Sequence, residues 1–127
     1  MSADTDIQEV TGAHIAAWDS ADAGVRRRHL ERALTDDAAI AYPSLHCSGY
    51  DAIADHIGEV HEQIPGVRVR QRSGIQWHHG WLRVAWRMVH ADGATLLDGV
   101  DFAEVADDGR LRRVVGFHDP LPDTLPG

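Results

Sequence analysis

The residues with most chemical promise are Asp101, His118 and Tyr42. Asp101 stands inside the run DGVDFAEVADDGRLRRVVGFH, residues 98–118, between Val100 and Phe102. Side chains alternate along a strand, so Asp101 should share one face with Gly99 and Ala103 while Val100 and Phe102 take the other. A carboxylate among apolar walls and a nearby imidazole can move a proton on a bound molecule. Asp101 and His118 are the candidate proton-transfer pair, and Tyr42 is a candidate hydrogen-bond donor. An ion pair between Asp101 and an arginine is the plainer alternative. Gly99 and Gly116 lie on the same two runs, and glycine within a strand often marks a close approach of ligand or backbone.

The turn signal Asp107-Asp108-Gly109 folds this stretch into a hairpin. A two-residue Asp108-Gly109 turn pairs Asp101 with Gly116 and Gly99 with His118. Asp101 and His118 then become diagonal neighbours on one face, with Cα atoms about 7–8 Å apart. A three-residue loop with a bulge would change the register by one. The preceding turn, Ala91-Asp92-Gly93, carries the same ambiguity. One register turns Val84, Trp86 and Met88 inward; the other turns Arg83, Ala85 and Arg87 inward. Apolar parity favours the first.

Helical spacing of Ile7, Val10, His14, Ala17 and Trp18 predicts a first helix over residues 6–19, with Thr5 and Gln8 as a capping box. Ser20 and Asp22 can cap a second helix, which turns Val25, Leu30, Ala33 and Leu34 inward and leaves Arg26-Arg27-Arg28 as a solvated face. A short strand over 38–42 ends at Pro43, and a loop over 44–49 holds His46 and Cys47. Ile53, Ile57, Val60 and Ile64 mark a third helix over 50–64, stopped by Pro65-Gly66. From Val67 onward the period becomes two. The tail from about residue 119 contains three of the five prolines and should be irregular. The plan is α+β: one domain over 1–127, three N-terminal helices packed against one face of a curved antiparallel sheet.

Totals limit the function. The net charge of -8 argues against nucleic acid and anionic membranes. No apolar run approaches the roughly 18 residues of a membrane span, and the acidic start MSADTDIQEV does not read as a secretion signal. Cys47 is the one cysteine, which fits a reducing, cytoplasmic setting. All 12 cationic residues are arginine, so lysine Schiff-base chemistry is excluded. HExxH, CxxC, GxSxG and glycine-rich phosphate loops are all missing, so no metal and no cofactor is expected.

The strings AWDSAD, DDAAIAYP, Gly49 and GVDFAEVADDGRL running to Gly116-Phe117, in that order, resemble the nuclear transport factor 2-like (NTF2-like) superfamily in its SnoaL-like branch. The resemblance covers about residues 6–122. It implies a cone-shaped sheet with the three helices on its concave face around a ligand cavity, and a fold that hosts isomerases, dehydratases, cyclases, epoxide hydrolases and non-catalytic binders. Ketosteroid isomerases are the most informative comparison. Asp101, eight residues before Gly109-Arg110, matches their protonated oxyanion-hole aspartate. Tyr42 stands at their general-base position and Trp18 at their oxyanion tyrosine, so one of three functional residues is retained. The Asp-Arg-Asp set of limonene epoxide hydrolases would use Arg83 and Asp101, with Ala85 in place of the other carboxylate.

The expected function is binding of a small apolar molecule, with isomerase, dehydratase or cyclase chemistry on a carbonyl or hydroxyl. A non-catalytic ligand-binding or protein-interaction module is the alternative. Asp101, His118 and Tyr42 would be catalytic. Trp18, His14, His56, Trp86, Gly99, Val114 and Gly116 would contact the ligand. The outward Val100 and Phe102 form an apolar patch that predicts a homodimer.

Overall fold

The computed structural model describes residues 3–125, with side chains described from Asp6 onward. Three helices, α1 (Ala3–Asp19), α2 (Ala23–Ala33) and α3 (Tyr50–Gln63), accompany seven strands. These are β1 (Leu34–Tyr42), β2 (Leu45–Ser48), β3 (Arg68–Gln71), β4 (Gln76–His78), β5 (Trp81–Val89), β6 (Thr95–Val105) and β7 (Leu111–His118). The sheet order is β2-β1-β7-β6-β5-β3, with β4 also paired to β5. It is curved, open and mixed. Every pair is antiparallel except β1 against β7, which run parallel. The expectation of a wholly antiparallel sheet therefore needs this correction. The crossover from β1 to β7 spans most of the chain, so hairpin signals could not reveal it.

The helices lie over one face of the sheet. Ile7, Ala13 and Ala17 of α1, Leu30 and Ala33 of α2, and Ile53 and Ile57 of α3 bury against Ile40, Leu82, Val84, Ala103, Leu111 and Val114 of the strands. Ile7, Ala17, Leu30, Ala33, Ile53 and Ile57 are among the residues that helical spacing marks as inward, whereas Leu34, expected on the second helix, instead opens β1. α1 already runs through Thr5, so that residue is not at its start, and its side chain lies outside those described. Asp22 caps α2 by accepting from the Val25 N–H at 2.8 Å, whereas Ser20 turns back to the Ala16 carbonyl.

Arg26 corrects the solvated-face reading of the arginine run. It is buried at 6 % exposure and donates to the carbonyls of Ser20, Ala21 and Ala54. A guanidinium has several donors in a rigid fork, so one side chain can tie the end of α1 to α3. β2 was not anticipated, because Leu45–Ser48 is too short to show a period; it pairs with Ala39–Tyr42.

Both hairpins solve their register in the same unexpected way. Each has a three-residue loop ending in a glycine at positive φ, Gly93 at 90° and Gly109 at 89°. Such a loop shifts the pairing by one. An extra residue on the outgoing strand, Leu96 in β6 and Arg112 in β7, then shifts it back. Asp101 faces Gly116, Gly99 faces both His118 and Trp86, and Val84 faces Asp101, the pairing a two-residue turn would give. Trp86 therefore points inward, while Arg83 lies outward and donates to Gln76 at 2.6 Å.

Candidate functional site

A cavity of about 430 Å³ opens between the helices and the inner face of the sheet. That is within the range of small-molecule sites. Its walls are largely apolar: Ile15, Val60, Ile64, Val69, Met88 and Leu97 among them. The polar residues of its lining include Asp101, His14, Trp18, Tyr42, Trp86 and His118.

Two glycines set the geometry around Asp101. Tyr42 lies one step beyond the Ala41–Val115 pair, and so beside Gly116. A Cβ on Gly116 would clash with the Tyr42 ring and crowd Asp101 Oδ1 at 2.8 Å, and one on Gly99 would clash with the Trp86 indole. Each glycine thus leaves room for an aromatic ring to lie flat across its strand and reach Asp101. The Tyr42 hydroxyl donates to Oδ2 at 3.1 Å, and the Trp86 Nε1–H donates to Oδ1 at 2.8 Å. Asp101 is 3 % exposed. Burying a carboxylate is costly unless hydrogen bonds replace its water, and these two donors do so. Burial pushes the Tyr42 phenol well above its usual range, and the Asp101 charge and hydrogen bond push it further. Tyr42 therefore stays protonated near neutral pH and serves as a donor.

His14 is the third neighbour of Asp101. Its Nε2 stands 3.4 Å from Oδ2, within ion-pair reach but without hydrogen-bond geometry. The residue is 2 % exposed and neither ring nitrogen has a hydrogen-bond partner. The Nε1–H of Trp18, one turn further along α1, is also buried without a partner. Buried polar atoms in native proteins nearly always have partners, so the three orphaned nitrogens of His14 and Trp18, on one helix face of the cavity wall, stand out as groups that a ligand or water could satisfy.

The anticipated site residues fall into three groups. Asp101, Tyr42, Trp18, His14, His56, Trp86 and His118 all line the cavity. Gly99 and Gly116 lie beneath the Trp86 and Tyr42 rings and do not line it. Val114 is 1 % exposed and belongs to the main core. The pairing of Asp101 with His118 also changes. They are diagonal neighbours, but the Trp86 ring fills the space over Gly99 that separates them. His118 stays exposed, edge-on to Trp86 with ring centroids 6.2 Å apart. Asp101 instead meets His14, whose inward placement on the first helix was the available sequence signal. Five rings run edge to face along the wall in the order His56, Trp18, Tyr42, Trp86, His118. Among the described residues, no three His, Cys, Asp or Glu side chains gather to hold a metal ion. No described helix is long and apolar enough to cross a membrane.

A conical α+β fold with a cavity between its helices and sheet defines a class that solved structures make specific. No protein-family model and no curated protein matches the sequence. A SnoaL-like family protein from Agrobacterium tumefaciens str. C58, whose name proposes an isomerase, is 27 % identical with a TM-score of 0.84, over 91 % of this chain and 99 % of that one. An NTF2-like protein of unknown function from Exiguobacterium sp. 255-15 is 17 % identical with a TM-score of 0.70, over 91 % and 99 %. A protein from Jannaschia sp. CCS1, whose name proposes a SnoaL-like polyketide cyclase, is 16 % identical with a TM-score of 0.70, over 91 % and 86 %. The chain has the NTF2-like fold and is similar to SnoaL-like proteins of that superfamily. A designed protein with a curved sheet matches with a TM-score of 0.67. Fold likeness alone therefore carries no activity.

Proposed function

We propose that this protein binds a small, largely apolar molecule bearing a carbonyl or hydroxyl group and moves a proton on it without a cofactor. Isomerisation, dehydration and cyclisation of carbonyl compounds can each begin with that step. The observation that carries the reading is His14: buried, in the cavity wall, 3.4 Å from Asp101 and without a hydrogen-bond partner on either nitrogen. Asp101, held by Tyr42 and Trp86, lies 3.4 Å from His14 and fixes its position. The free His14 nitrogen takes a proton from the carbon beside the carbonyl. The C–H bond breaks, its electron pair moves onto the carbonyl oxygen, and an N–H bond forms. Trp18 Nε1–H is the donor available to the resulting oxyanion. Return of the proton to another carbon isomerises the substrate; in dehydration the β C–O bond breaks as the enolate electrons return, and the leaving hydroxyl takes the proton back from His14 and departs as water. The names proposed for the Agrobacterium and Jannaschia proteins support chemistry of this kind. A reducing, cytoplasmic setting belongs to the same proposal.

Proton–deuterium exchange across a panel of compounds tests it. Apolar ketones and enones are incubated with the protein in D₂O and followed by NMR. Exchange above the buffer rate is expected for some members, falling about 10²–10⁴-fold in His14→Gln and Asp101→Asn while ligand-observed binding persists. Binding at the cavity with exchange at the buffer rate for the whole panel would instead favour a non-catalytic ligand-binding module.

A further inference from the structure

Far from the cavity, the β4–β5 turn holds two adjacent histidines in an arrangement the fold does not require. His78 pairs with Trp81 across a two-residue turn made of His79 and Gly80. Both turn residues have positive φ, 52° for His79 and 81° for Gly80. Such turns favour Asn, Asp or Gly at the first position, because other side chains are strained there. Histidine tolerates this conformation better than most residues, yet it is not the stable choice. The conformation brings the two imidazoles together. Their Nδ1 atoms are 3.1 Å apart, their centroids 5.3 Å apart and their planes 80° apart. Both side chains are exposed.

We infer that His78 and His79 form a two-point chelate for a divalent transition-metal ion, with Cu(II) preferred. Imidazole nitrogens bind such ions at about 2.0–2.1 Å. Two nitrogens 3.1 Å apart then subtend about 95–102° at a shared ion. That lies midway between the roughly 90° of square-planar Cu(II) or Ni(II) and the roughly 109° of tetrahedral Zn(II), so the angle admits either geometry. The Irving–Williams order is what favours Cu(II). Both rings are exposed, so rotation about their side-chain torsions can turn the two Nδ1 lone pairs away from each other and onto one ion. The neutral pair shares one proton between its Nδ1 atoms. On metal binding that proton passes through solvent to the donor ring's Nε2, so the pair binds with no net proton release. Water completes the coordination. This site is independent of the cavity and of the proton-transfer reading.

The test titrates Cu(II) into tag-free protein, read by calorimetry and by electron paramagnetic resonance. Trp81, the cross-strand partner of His78, supplies a fluorescence readout through quenching. The expected result is tight binding of one ion per chain with coupling to two imidazole nitrogens. His78→Gln and His79→Asn should each weaken it roughly tenfold or more, since each removes the benefit of linked ligands. Asn accepts positive φ, so the second variant keeps the turn. His90→Ala, at an exposed position on the β5–β6 hairpin, should leave the affinity unchanged. Unchanged affinity in His78→Gln and His79→Asn, or an equal loss in His90→Ala, would overturn the site.

Discussion

The indole of Trp86 reaches diagonally across Gly99 to donate a buried 2.8 Å hydrogen bond to Asp101. Trp86→Phe keeps most of the ring and removes the donor. It should cost about 1–3 kcal/mol, because one oxygen of a buried carboxylate is left without its partner. Urea denaturation of the variant checks this. An unchanged midpoint would mean that water had replaced the indole.

Gly116→Ala tests the other ring. The added methyl cannot coexist with Tyr42 in its present place. A loss of about 1–3 kcal/mol is expected from overpacking. In a Tyr42→Ala background the same change should cost less, since the ring is gone and only the 2.8 Å approach of the methyl to Asp101 Oδ1 remains. A double-mutant cycle measures the coupling, and additive costs would refute the contact.

Asp19 joins the end of α1 to β3. It accepts from Arg68 Nε at 2.7 Å, Arg68 Nη2 at 2.8 Å and the Val69 N–H at 2.9 Å. Burial alone would raise its carboxyl, but the bonds from Arg68 and Val69 outweigh burial and hold it below the usual carboxylate range. The folded chain therefore takes up this proton less readily than the unfolded chain. The stabilisation is complete above the unfolded pKa and is lost as pH falls through the folded one. Thermal melts of wild type and Asp19→Asn should differ at neutral pH and converge in acid. A gap that stays constant with pH would assign the clip's effect to something other than this charge.

The outer face of the sheet exposes Phe102 at 38 % and Phe117 at 56 %, packed edge to face with centroids 5.9 Å apart. Half-buried Val100 and Val115 flank them. A second copy of the chain is the expected cover for this patch. Sedimentation at micromolar concentration should give a dimer, and Phe117→Glu a monomer with an intact cavity. A monomeric wild type would remove this prediction.

Much of this protein is written in local pattern. Ile53, Ile57, Val60 and Ile64 mark α3, and the alternation through Val84 and Trp86 marks β5, because one face of each must bury apolar side chains. The same alternation turns Asp101 inward and Phe102 outward. Three-dimensional packing decided the rest. Turn residues place the hairpins but not the bulges at Leu96 and Arg112, since a loop and a later extra residue compensate in register. Gly99 and Gly116 are unusual strand residues in any reading. Only the fold shows that aromatic rings from neighbouring strands occupy the space above them. That same packing puts Trp86 over Gly99, separating His118 from Asp101. His14 comes from a helix far away in sequence, and no local period records which strand residue a helix will meet when it docks. The partner of Asp101 was therefore set by the docking of α1 on the sheet, which depends on the shape of the whole core.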